Sequence, residues 1–150
     1  MRIYFAAPLF SAAERDWNAT LAAALREAGH EVFLPQEQER GRDAAGIFAT
    51  DVGGIDWSDC LVAIVDGADP DSGTGWEVGY AYRKKSIVLV RTDMRRTASD
   101  GSSYNAMLAE SATIRVDAVA APISQVGREV LDALASLVGG EGLEPPTSSV

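Results

Sequence analysis

Two stretches of this chain show no alternation of polar and apolar residues: residues 60–65 read CLVAIV and residues 86–90 read SIVLV. A strand with one wet face alternates, so such runs need cover on both faces, which a parallel sheet with helices above and below supplies. The 150 residues suffice for one domain of two or three layers and are too few for two enzyme domains.

The other segments fit the same frame. RIYFA at residues 2–6 predicts a first strand, and Ser11-Ala12-Ala13-Glu14 is an S-x-x-E capping box opening a helix. Trp17, Leu21 and Leu25 form that helix's apolar stripe, which stops near Gly29. HEVFLP at 30–35 predicts a second strand ending at a proline, and 36–45 a polar surface loop. A helix carrying Ile47, Phe48, Val52 and Ile55 leads to the run at 60–65. The Gly-, Asp- and Pro-dense stretch 67–75 predicts a loop, and 76–83 a helix. After the run at 86–90 come a polar loop (92–103), a short helix (105–109), a fifth strand (113–116) and a closing helix through Val126, Val130, Leu134 and Leu137 that ends at Gly139-Gly140. The expectation is a domain over 1–140 with a loose tail over 141–150. Five strands alternating with helices imply a doubly wound α/β sheet with helices on both faces, its ligand site outside the carboxyl ends of the strands. The loops after Ala6, Val65 and Val90 should therefore meet at one site.

Composition narrows the function classes. The chain is 47% hydrophobic and 23% charged, as in ordinary globular proteins. A net charge of −9 argues against a nucleic-acid groove. No apolar run approaches the roughly 20 residues of a membrane span, and the first residues are not a secretory signal, so the expected location is cytoplasmic. Cys60, the single cysteine, lies in an apolar run and reads as a buried structural thiol, and no metal-ligand set is visible. His30 is the one histidine and reads as a solvated turn residue.

The segment DSGTGWEVGYAY at 71–82 carries the functional question. Gly73, Gly75 and Gly79 approach a dinucleotide fingerprint, but Val78 stands where the third glycine belongs and the segment follows the third strand instead of the first. Asp66, Asp69, Asp71 and Glu77 would also repel a pyrophosphate there. Thr74-Gly75-Trp76-Glu77 is itself a T-x-x-E capping box, which would give Glu77 a purely structural task. The alternative is a cleft in which Tyr4, Asp51, Asp71 and Glu77 meet. Carboxylates gathered in one cleft titrate apart, so that one attacks an anomeric carbon while another protonates the leaving group.

Tyr4, the run 50–55 (TDVGGI), Ser58-Asp59, the run 71–81 (DSGTGWEVGYA) and Asn105-Ala106-Met107 together resemble the nucleoside 2-deoxyribosyltransferase family, over residues 2 to about 116. The resemblance implies a flavodoxin-like sheet, no cofactor, and transfer of a 2-deoxyribosyl group from a nucleoside to a free nucleobase with retention. It implies Glu77 as nucleophile, Tyr4 as the residue orienting it, and Asp51 and Asp71 at the nucleobase, one of them the proton donor. Asn105 would reach a sugar hydroxyl from a neighbouring subunit of a homo-oligomer. Gly73 would leave room for the sugar ring, and Phe10 would lie against the base or act as a hydrophobic staple for the first helix.

The chain departs from the pattern at its end, since TSSV at 147–150 replaces the terminal tyrosine common in the family. Two other functions stay open on the same scaffold. One is a nucleoside 5′-monophosphate N-glycosidase, disfavoured by the apolar Ala7-Pro8-Leu9-Phe10 but allowed if Arg91, Arg95 or Arg96 reaches a phosphate. The other is a non-catalytic nucleoside- or nucleotide-binding module.

Overall fold

The computed structural model describes residues 1–38, 41–95 and 104–139. Arg96, Gly140, the tail over 141–150 and most of the loop over 92–103 lie outside the described residues. Five strands, β1 (Arg2–Ala6), β2 (Glu31–Phe33), β3 (Cys60–Ile64), β4 (Ser86–Arg91) and β5 (Ile114–Asp117), form one sheet in the order β2-β1-β3-β4-β5. Every pair is parallel, and the register sets Tyr4 beside Phe33 on one side and Leu61 on the other. The doubly wound α/β sheet expected from the sequence is the one observed, and its strand order reverses between β1 and β3.

Alternate residues of the central strands feed two cores. Ile3, Phe5, Val62, Val88 and Val90 pack against Leu21 and Leu25 of α1 (Ala12–Glu27) and Val126, Val130 and Leu134 of α6 (Ile123–Gly139). Tyr4, Leu61, Ala63, Ile87 and Leu89 face the other side. There they meet Ile55 of α3 (Ala44–Trp57), Val78 and Ala81 of α4 (Ser72–Ala81) and Ala109 of α5 (Ala106–Ser111). Each fully buried Leu, Ile, Val or Phe contributes roughly 1.5–3 kcal/mol, so the untouched apolar runs are the main source of stability. Cys60 is among these side chains, and burial pushes its thiol up to about 12, as expected of an inert structural cysteine.

The capping box at α1 is formed as read. Ser11 Oγ accepts from Glu14 N at 3.2 Å while Glu14 Oε2 accepts from Ser11 N at 2.7 Å, and the backbone N–H of Ser11 holds the Glu14 carboxyl below its usual range. Gly29 takes φ +91°, a left-handed turn that lets the chain leave α1 for β2. Among the described residues no helix is long and apolar enough to cross a membrane.

Two local expectations are corrected. The second strand stops at Phe33, and Pro35 opens a short helix, α2 (Pro35–Gln38), where a polar loop was expected. Proline suits a first helical position because its missing N–H has no partner there anyway. Arg26 fastens this corner, donating to Val32 O at 2.8 Å and pairing with Glu37 at 2.8 Å.

The larger correction concerns α4. It begins at Ser72, not at Trp76, because Asp71 is the N-cap: its Oδ2 accepts from Thr74 N at 2.9 Å. Thr74 is buried within the first turn and caps nothing, so the T-x-x-E reading of Thr74 and Glu77 falls. Gly73 and Gly75 lie within the helix. A Cβ at Gly73 would crowd Asp71 Oδ2 at 3.0 Å, which makes this glycine a partner of the cap. A Cβ at Gly79 would meet open space, and the helix packs on the sheet through Val78 and Ala81.

Removing the cap should cost measurable stability. Asp71→Ala is expected to lower the unfolding free energy by about 1 kcal/mol and Asp71→Asn by much less, since Asn caps nearly as well. Equal losses in urea titrations of the two variants would contradict the capping role.

Candidate active site

With all strands parallel, the ends of β1, β3 and β4 lie on one edge, and α3, α4 and α5 cover the face that carries Tyr4. Tyr4 is fully buried on β1, and its ring stacks on Phe33 at 5.4 Å between centroids with 16° between planes. Such stacking adds roughly 0.5–1.5 kcal/mol beyond area burial. A buried hydroxyl left without a partner would cost about 1–3 kcal/mol. Tyr4 avoids that penalty by donating to Glu77 Oε1 at 2.6 Å, a short bond across 73 positions of sequence.

Glu77 lies in the second turn of α4, six residues past the cap, and is half-buried. A helix position fixes where its Cα stands, and the tyrosine bond fixes the carboxylate's rotation. The result is a carboxyl group held at a defined orientation in a partly buried place, an arrangement that suits nucleophilic attack by a carboxylate. Of the expected site residues, these two are brought into direct contact.

The others are placed as follows. Asp71 caps α4 at the same edge of the sheet. Asp51 is on α3, one turn from both Phe48 and Ile55, on the stripe that α3 turns toward α4 and the sheet; one of its carboxylate oxygens is shielded from solvent. Asn105 caps α5, its Oδ1 accepting from Met107 N at 2.9 Å, and is exposed. Phe10 stands just past β1 and is 78% exposed, so it does not staple α1, whose facing position is Arg15. Gly73 is in the first turn of α4. His30, with its ring 3.5 Å from the amino terminus, lies at the opposite edge of the sheet.

The crowd of carboxylates after β3 is partly structural. Asp66 accepts from the backbone N–H of Thr92 at 2.6 Å and of Asp93 at 2.9 Å, while Asp93 accepts from Gly67 N at 3.0 Å. Gly67 turns through φ +103° to make this exchange. The Arg95 guanidinium, hydrogen-bonded to Asp93, holds that carboxyl well below the usual range. Arg91, 1% exposed, donates to Val65 O at 3.1 Å, to Gly67 O at 3.3 Å and to Arg95 O. Of the three arginines that leave a phosphate donor open, Arg91 is buried on carbonyls, Arg95 is paired with Asp93, and Arg96 lies outside the described residues.

Sequence reasoning missed Phe33 and Gly54. A Cβ at Gly54 would stand 2.7–2.8 Å from three Phe33 ring carbons, so this glycine makes the space in which the ring lies under Tyr4. The register between β1 and β2 that creates the stack has no local signal. It also missed the row Phe48–Trp76–Tyr80 across α3 and α4, with centroid spacings of 5.3 Å, in which Phe48 and Trp76 are 57% and 46% exposed.

Comparison with known proteins places the chain in a family. The chain is similar to a solved conserved protein of Enterococcus faecalis V583, at 28% identity and TM-score 0.69 over 87% of this chain and 97% of that one. It is similar to a 2-deoxyribosyltransferase of Bacillus psychrosaccharolyticus, at 25% identity and TM-score 0.68 over 85% and 90% of the two chains. It shares its fold with a CMP N-glycosidase of Clostridium botulinum, at 19% identity and TM-score 0.58 over 91% and 99%. No curated protein sequence matches it. The family model for nucleoside 2-deoxyribosyltransferase matches residues 3–118, and the chain, carrying Tyr4 and Glu77 in that span, belongs to the nucleoside 2-deoxyribosyltransferase family.

Proposed function

We propose that this protein moves a 2-deoxyribosyl group from a nucleoside to a free nucleobase by two displacements at the anomeric carbon. The observation that carries the reading is the 2.6 Å bond from the Tyr4 hydroxyl to Glu77. In the first displacement a carboxylate oxygen of Glu77 bonds to the anomeric carbon as the C–N bond breaks. The departing nitrogen takes a proton from Asp51 or Asp71. In the second, a nitrogen of the acceptor base attacks the same carbon and its proton returns to that acid, so the glutamate leaves as carboxylate. Two inversions give retention. Tyr4 stabilises the carboxylate before attack and after release, and limits its rotation in between.

Among the described residues, burial of Arg91 on carbonyls and pairing of Arg95 with Asp93 support a nucleoside over a 5′-monophosphate donor. We propose further that the protein works as a homo-oligomer with Asn105 serving a neighbour's sugar site. The exposure of Asn105 and Met107 and the aromatic row Phe48–Trp76–Tyr80 support this. A single-chain mass in sedimentation at assay concentration would contradict it.

Incubation with deoxyadenosine and free cytosine is expected to yield deoxycytidine and adenine. Glu77→Gln, in which an amide is a poor nucleophile, should lower turnover by at least about a thousandfold while the fold survives. Asp71→Asn keeps the cap, so its loss of turnover would report on proton transfer rather than stability. Free base from CMP or deoxynucleoside monophosphates without exchange would support the N-glycosidase. Silence with every nucleoside and nucleotide would support a binding module.

A further inference from the structure

The path from the edge of the sheet to Glu77 runs from a glycine through two side-chain contacts. Gly54, in the interior of α3, leaves the space that the Phe33 ring fills, since a Cβ there would lie 2.7 Å from Cε1 and 2.8 Å from Cδ1 and Cζ. Phe33 ends the three-residue strand β2 and pairs with Tyr4 in the parallel register, so their rings share a face and stack. Tyr4 then donates to Glu77. A tyrosine ring pivots about two torsions, and β1 fixes only its Cα. A flat neighbour at 5.4 Å and 16° limits the plane in which the ring, and hence its hydroxyl, can lie. The short edge strand that carries Phe33 is in turn held by Arg26, through Val32 O and Glu37.

We infer that Phe33, seated against Gly54, is a positioning residue for the Tyr4–Glu77 pair. It touches no substrate in this account and acts through the tyrosine, setting where the hydroxyl meets the carboxylate. The inference rests on the proposed role of Glu77 as nucleophile for its kinetic consequence, while its geometric content stands apart from that role. It has an unusual corollary. Gly→Ala inside a helix ordinarily favours the helix, yet Gly54→Ala should impair turnover because the added methyl displaces the ring.

Phe33→Leu removes the plane, Phe33→Tyr keeps it, and Gly54→Ala forces it aside. Phe33→Leu and Gly54→Ala are each expected to lower kcat about tenfold with KM for the donor nucleoside changed by less than about twofold, the size of effect expected from a small misplacement of a reacting group. Phe33→Tyr should retain kcat. In a Tyr4→Phe background the further loss from Phe33→Leu should shrink to less than about twofold, because the effect passes through the tyrosine hydroxyl. A wild-type kcat in Phe33→Leu, or a loss that persists in full in the Tyr4→Phe background, would overturn the inference. Glu77→Gln assayed alongside separates the two claims, since undiminished turnover there counts against the nucleophile and not against the stack. Crystal structures of Phe33→Leu and Gly54→Ala give a readout independent of activity. The Tyr4–Glu77 bond should be lengthened or lost in both, and an unchanged bond in both would refute the positioning role whatever reaction the protein catalyses.

Discussion

Burial of β1, β3 and β4 on both faces is the constraint from which the rest follows. Residues 3–6, 60–63 and 87–90 are all fully buried, and a strand in that state needs an apolar layer on each side. Parallel pairing supplies the layers, since every return to the same edge requires a crossover. The first crossover puts α1 on one face, and reversal of the strand order puts α3, α4 and α5 on the other. The strand order reverses between β1 and β3, and the carboxyl ends of the strands at such a reversal are the usual place for a ligand in this class of sheet.

The candidate site uses this frame economically. Tyr4 occupies a core position, so its ring belongs to the same apolar layer as Leu61 and Ile87, and only its hydroxyl makes a chemical demand. Glu77 answers that demand from a helix whose start is fixed by Asp71. A residue that the resemblance sets at the nucleobase is thus also the one that decides where the helix of the proposed nucleophile begins. The loops after β3 and β4 are locked together by Asp66, Asp93, Arg91 and Gly67, which commits these residues to holding the two loops to each other.

Much of this was legible in the sequence, for reasons that can be named. Unbroken apolar runs declare doubly covered strands, and the S-x-x-E at Ser11 declares a helix start, because both signals are local. Tyr4 and Glu77 were named through the family resemblance, and the structure joins them by a hydrogen bond, while their roles belong to the proposal. The start of α4 was misread because two capping signals overlap within four residues. Asp71 and Thr74 each offer a side-chain oxygen three positions before a helical N–H; Asp71 takes the role, and the second glycine after it did not break the helix. Phe33 and Gly54 were invisible because their partnership depends on how β2 registers with β1 and how α3 lies on the sheet, neither of which any short window of sequence encodes.

The central claim is that Glu77 becomes covalently bonded to the sugar. Acid quenching of the protein during turnover of a 2′-deoxynucleoside, followed by mass spectrometry of the intact chain and its peptides, tests this directly. The account predicts an adduct of one deoxyribosyl group on the peptide that contains Glu77, and none in Glu77→Gln. Release of base with no adduct on the chain, or an adduct on another residue, would contradict it.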